Sequence, residues 1–160
     1  MLKHIFIAFA TLLAISWAFP TGAPPTVCDS MLPGHNESLP QAVPLKQKFT
    51  VSNSEVKAEE DVKIVVSGPD FKGFMVEVRA KDQNKAVGQF VDVDAKISQT
   101  IDCHGNKDSA ITHVDKEPKK EVTLTWKAPK EQGEYIVWGT IVESYEVFWA
   151  KEKVATLTVI

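Results

Sequence analysis

From residue 45 onward, apolar side chains return at nearly every second position, the period of a β-strand and not of a helix. Val62, Ile64 and Val66 alternate with Lys63, Val65 and Ser67 until Gly68-Pro69-Asp70 ends the run. Phe74, Val76, Val78 and Ala80 share one face of a second segment, and Met75, Glu77 and Arg79 share the other. Val122, Leu124 and Trp126 repeat the pattern against Thr123, Thr125 and Lys127 before Ala128-Pro129. Residues 135–145 are apolar on both parities, as in a central strand covered on both sides. Ala155, Leu157 and Val159 close the series, and 49–52, 87–91 and 110–114 are shorter candidates. No stretch carries a capped amphipathic helix of three turns. The pattern therefore predicts an all-β fold, an antiparallel immunoglobulin-like β-sandwich of about eight or nine strands, with a closed barrel as the alternative. At 160 residues the chain is long enough for one such core.

The first residues point to secretion. Lys3 and His4 precede an apolar run over 5–15, and Ser16 and Ala18 flank Trp17 in a small-x-small pattern. This reads as a signal peptide, 1–18, removed to leave a single domain over 19–160. The alternative is an uncleaved anchor, but the run is short for a membrane span and no second one follows. The mature chain is thus expected to be extracellular, without a transmembrane anchor. In that oxidising setting Cys28 and Cys103, an even pair without C-x-x-C spacing, read as a structural disulfide. Closing so long a loop stabilises a fold by roughly 4 kcal/mol at most. Residues 19–44, rich in proline, form an extended lead-in held through Cys28. Asn36-Glu37-Ser38 is a glycosylation sequon among Pro33, Gly34 and Pro40.

Charge and motif content narrow the function. Arg79 is the only arginine and the net charge is −3, which sets nucleic-acid binding aside. Oxidised thiols are no nucleophiles, and no G-x-S-x-G elbow, phosphate loop or dinucleotide fingerprint occurs. A metal would need His35, His104 and His113 to converge with a carboxylate such as Asp102, Asp108 or Asp115. Histidines packed in loops are the simpler reading, so no enzyme, cofactor or metal is expected. The densest basic segment holds Lys116, Lys119 and Lys120, read as a loop able to meet anionic polymers. Phe148 and Trp149, near a strand end among polar neighbours, are the aromatic candidates for ligand contact, with core filling as the alternative.

Several short blocks follow one another along the chain. Gly22-Ala23-Pro24, Cys28 and Met31-x-Pro33-x-His35 come first, then Phe71-Lys72-Gly73-Phe74 leading to Val78-Arg79, then Gly88-x-Phe90 and Cys103. Ala110-Ile111-Thr112-His113, residues 122–129, Gly133 and Thr140-Ile141-Val142-x-Ser144-Tyr145-x-x-Phe148-Trp149 complete the order. In order and spacing these blocks resemble a reeler domain over nearly all of 19–160. With a leader ahead of one such domain, the chain is similar to the small secreted defence proteins of insect hemolymph. That resemblance implies binding of bacterial or fungal surface polymers (lipopolysaccharide, lipoteichoic acid, glucan) and a part in hemocyte nodulation. An adhesion or matrix module that binds host proteins or cells is the alternative. A lipid- or metal-handling carrier is the third reading, and it would require an internal cavity. Trp138-Gly139 departs from the family pattern, where Ala is common before Thr-Ile-Val, and so does the single cysteine pair.

Overall fold

The computed structural model describes residues 19–35 and 37–160, so the leader read over 1–18 and the Asn36 sequon lie outside the described residues. Ten strands form: β1 (Lys48–Val51), β2 (Glu55–Val56), β3 (Asp61–Phe71), β4 (Gly73–Ala80) and β5 (Gln89–Val91), then β6 (Ser98–Cys103), β7 (Asn106–His113), β8 (Lys119–Lys127), β9 (Gly133–Val142) and β10 (Phe148–Val159). They make a sheet ordered β1-β3-β8-β5 and another ordered β2-β10-β9-β4-β7-β6. All named pairings are antiparallel except the two residues of β2 against β10. Two separate sheets make this a sandwich and not the barrel, with ten strands where the sequence pattern predicts eight or nine.

The alternating residues fill the space between the sheets. Val62, Ile64 and Val66 of β3 and Val122, Leu124 and Trp126 of β8 meet Phe74, Val76 and Val78 of β4 and Tyr135, Val137 and Ile141 of β9. Gly139 lies on that inner face because a Cβ there would come 2.7 Å from the Phe49 ring. The departure from Ala at this position is thus matched by an aromatic ring on the facing sheet. β3 runs through Gly68-Pro69-Asp70 to Phe71 by an irregularity in its pairing with β8, where the sequence pattern predicts a stop. β6 carries no apolar alternation and forms by pairing with β7. Its hairpin turns on His104 and Gly105, at φ 55° and 80°, the positive-φ pair that suits strand twist. Residues 103–108 are therefore the tip of that hairpin.

The second face of the six-stranded sheet is also covered, which is why both parities of β4 are buried. Residues 19–35 and 37–44 cross it as an irregular strap, with one short 3-10 turn, Pro25–Val27, among the described residues. Cys28 and Met31 pack there on Met75, Ala86, Cys103 and Ala110. The expected disulfide is formed, with Cys28 and Cys103 Cα atoms 5.7 Å apart. Where the strap is covered without a strand partner, its backbone is satisfied by side chains. The Arg79 guanidinium donates to the Cys28 carbonyl at 2.5 Å, Thr140 Oγ1 to Met31 O at 2.8 Å and Trp149 Nε1 to Val43 O at 2.8 Å. The Thr112 hydroxyl accepts the Ala23 N–H at 3.1 Å.

Candidate functional site

At one end of the six-stranded sheet the strap stands off its surface and leaves an open cavity of about 240 Å³. β4 and β9 supply its floor through Met75, Thr140 and Val142, and Met31 and Leu32 of the strap form a wall. Gly73 opens β4 here, where a Cβ would sit 3.0 Å from the His113 ring, so its absence lets the imidazole close over the strand. His113 Nδ1 accepts the Phe74 N–H at 3.1 Å, which places the proton of the neutral ring on Nε2, facing the Phe19 carbonyl at 3.1 Å. Burial holds its pKa below the ordinary value of 6.5, against the opposing pull of those backbone contacts.

His35 lines the same cavity, stacked on Tyr145 at 4.4 Å and edge-on to Phe148 at 5.3 Å. Burial lowers its pKa as well, with a backbone contact to Tyr145 opposing. Its Nδ1 is buried without a hydrogen-bond partner among the described residues. Such an atom costs about 1–3 kcal/mol unless something satisfies it. Lys72 and Lys116 stand at the rim, and no carboxylate lines the cavity among the described residues.

The sequence candidates fall differently around this site. Lys116 is exposed and on the cavity rim, and Lys120 is exposed on β8. Lys119 is not free: its ammonium donates to Asp115 Oδ1 at 2.9 Å and to three backbone carbonyls, leaving the side chain 9% exposed. Both Lys119 and Lys120 belong to β8 and not to a loop. Phe148 and Trp149 are corrected outright as ligand contacts. Each is 1% exposed, because β10 starts at Phe148 and the strap folds over both. Lys46 lies over the Trp149 ring at 5.6 Å, which closes that side. Sequence reasoning passed over Lys72 and Tyr145, although both stand in the quoted blocks. Their solvent-facing setting depends on where the strap lies, which no periodicity encodes.

Other clusters are structural. His104 accepts the Ala86 N–H through Nδ1 at 3.0 Å and faces Asp29 at 3.1 Å through Nε2. Cys28, Glu77 and Cys103 converge, but both sulfurs are spent in the disulfide. Glu77 instead pairs with Arg79, 2.8 Å away and fully covered. Burial raises the Glu77 carboxyl above its usual range, with the guanidinium pulling the other way. The lone arginine thus holds the strap and is not available to surface anions. A second hollow of about 570 Å³ lies at the opposite end, with Lys107, Lys127, Lys130, Glu59 and Glu131 among its lining residues. Lys130 meets Glu59 at 3.9 Å, Lys127 meets Asp61 at 3.8 Å and Lys107 meets Asp108 at 3.9 Å, so each of these lysines has a carboxylate partner.

A family model described as "Reeler domain" matches residues 26–160. The chain belongs to the reeler family. The Hdd11-like defense protein of Samia ricini is 36% identical over 156 residues, which cover 93% of this chain and 92% of that protein. Ferric-chelate reductase 1 of Mus musculus is 31% identical over 148 residues, but the match covers 91% of this chain and only 25% of the reductase. The human F-spondin reeler domain superposes with a TM-score of 0.64 at 16% identity, over 77% of this chain and 95% of that one, which shows the shared fold.

In this reeler domain the family-like blocks converge on the strap. Lys72, Gly73 and Phe74 of one block line the cavity, His113 ties down Phe19, and Thr140 holds Met31. No helix among the described residues is long and apolar enough to cross a membrane. A buried disulfide and relatives named as defence proteins are the marks of an extracellular protein.

Proposed function

We propose that this reeler domain is a secreted, non-enzymatic defence protein of hemolymph that binds anionic polymers on bacterial or fungal surfaces and promotes hemocyte nodulation. The observation that carries this reading is coverage. The match to a named defence protein spans 92% of that relative, whereas the match to a reductase spans a quarter of it. The protein's net charge is −3, so attraction to lipopolysaccharide or lipoteichoic acid must be local. Lys72, Lys116 and Lys120 are the exposed cations that serve it, and Lys119 ties the Lys72 carbonyl to Asp115, the neighbour of Lys116.

Purified protein is to be retained on Gram-negative and Gram-positive cells and on fungal glucan, with retention falling as salt rises. Replacing Lys72, Lys116 and Lys120 by Ser is expected to weaken retention about a hundredfold, at about 1 kcal/mol for each lysine near an anionic surface. Unchanged retention in the triple variant, or indifference to salt, would remove the lysines from the mechanism. Attachment to hemocytes or matrix without attachment to any microbe would replace the defence reading by adhesion.

A further inference from the structure

We infer that the cavity beneath the strap is a binding site for a single alkyl or acyl chain carrying an anionic head, a carboxylate or a phosphate. Its floor is apolar: Met75 and Val142. The polar groups beside them are already occupied, since Thr140 Oγ1 donates to Met31 O at 2.8 Å and accepts the Lys151 N–H at 3.1 Å. His113 spends both ring nitrogens on the backbone of Phe74 and Phe19. What enters therefore gains by being apolar.

The mouth has the opposite character. Lys72 and Lys116 stand on it without a carboxylate among the lining residues, and the unpartnered His35 Nδ1 lies in its wall. Leu32 and Tyr145, 43% and 38% exposed, are two large apolar side chains left facing solvent at this opening. An apolar floor under a cationic mouth selects an amphiphile. Size narrows the choice further. At about 240 Å³ the cavity exceeds the roughly 150 Å³ that houses a benzene ring. It falls short of the about 300–1,000 Å³ of drug-sized sites. One chain of medium length fits; the two or more chains of a membrane lipid do not.

The test is calorimetric titration of the full secreted protein with hexyl, octyl and decyl phosphate, each below its micelle concentration. Octyltrimethylammonium and octyl glucoside serve as cationic and neutral controls. Affinity is expected to rise about fourfold per methylene until the chain fills the cavity, and then to level off. Octyl phosphate should bind at least tenfold more tightly than octyltrimethylammonium. Leu32→Trp, at the mouth, should weaken every member of the series. Lys72→Ser with Lys116→Ser, both on exposed side chains that the fold does not need, should abolish the preference for the anionic head and leave octyl glucoside unchanged. Equal binding of anionic and cationic heads, affinity that climbs without levelling, or no binding at all would overturn the inference.

Lipoteichoic acid trimmed to a single acyl chain and its fully deacylated form, used as competitors of octyl phosphate, distinguish a polymer's lipid anchor from a free amphiphile as the source. Competition by the acylated form alone identifies the anchor, and competition by neither leaves the free amphiphile as ligand. The inference does not rest on the microbial reading. Octyl phosphate binding without retention on bacteria would sustain the cavity and sink that reading, and the reverse result would do the opposite.

Discussion

The two faces of the six-stranded sheet are buried by different means. Between the sheets, residues such as Val76, Val137 and Leu124 exclude water without a polar atom in their side chains, and the backbone is satisfied by strand ladders. On the other face the cover is an irregular strap, and the sheet meets it with Arg79, Glu77, Thr112 and Thr140. The first face rests on non-directional transfer of apolar area. The second rests on individual hydrogen bonds and one covalent tie, each of which can be removed singly. The cavity occurs on the second face because a strap held at discrete points need not touch the sheet between them.

The contrast is broken hardest at Arg79. Arg79→Met leaves the Glu77 carboxyl buried without its cation and the Cys28 carbonyl without its donor, and should cost about 3–5 kcal/mol in urea unfolding. Adding Glu77→Leu should recover a large part of that loss, since removing both charges lifts the desolvation penalty. No recovery in the double variant would show that the pair's value lies in holding the strap and not in mutual neutralisation. Next comes the disulfide. Cys28→Ser with Cys103→Ser should cost about 2–4 kcal/mol, because the bond closes a sequence separation of 75. Limited proteolysis of that variant should cut within residues 19–44 first while the inner sandwich stays intact. Simultaneous loss of both layers would show that the inner sandwich depends on the strap for its own stability.

How far each region was legible in the sequence follows from the same contrast. β3, β8 and β9 write their burial into alternation or into apolar runs, so their existence and the sandwich can be read directly. β6 is invisible, because its Ser-Gln-Thr-Ile-Asp-Cys sequence becomes a strand only through β7. Cys28 and Cys103 announce the tether through redox chemistry. The path of the strap between Cys28 and Val43 is fixed by long-range contacts such as Trp149 with Val43, 106 residues apart, and leaves no local mark. That is why Phe148-Trp149 reads as a strand end open to ligand and proves to be covered. It is also why Lys116 could be found from its charge, while Lys72 and Tyr145 gain their place only once the strap is in position.

The smallest expected effect sharpens the comparison by pH, since His113 is buried and His35 half-buried beside the strap, and no histidine is among the described core residues between the sheets. Burial lowers the His113 pKa from 6.5, with the Lys119 charge adding to that direction and the Phe74 and Phe19 backbone and Asp115 opposing it. Above pH 6.5 the ring is neutral in both folded and unfolded chains, and its contribution is fully present. Below 6.5 the unfolded chain takes up a proton that the folded chain resists, so stability declines until the pH passes the lowered folded value. His35 shifts in the same direction and adds to the decline, whereas Glu77, raised by burial, opposes it at lower pH. The urea midpoint of the parent should therefore fall between pH 7.5 and 5. His113→Gln should be less stable throughout, having lost the link to Phe19, but its midpoint should fall less steeply over that interval. If parent and variant decline in parallel, His113 does not titrate on folding. The acid sensitivity of the strap would then belong to His35, and His35→Gln would be the variant that flattens the profile.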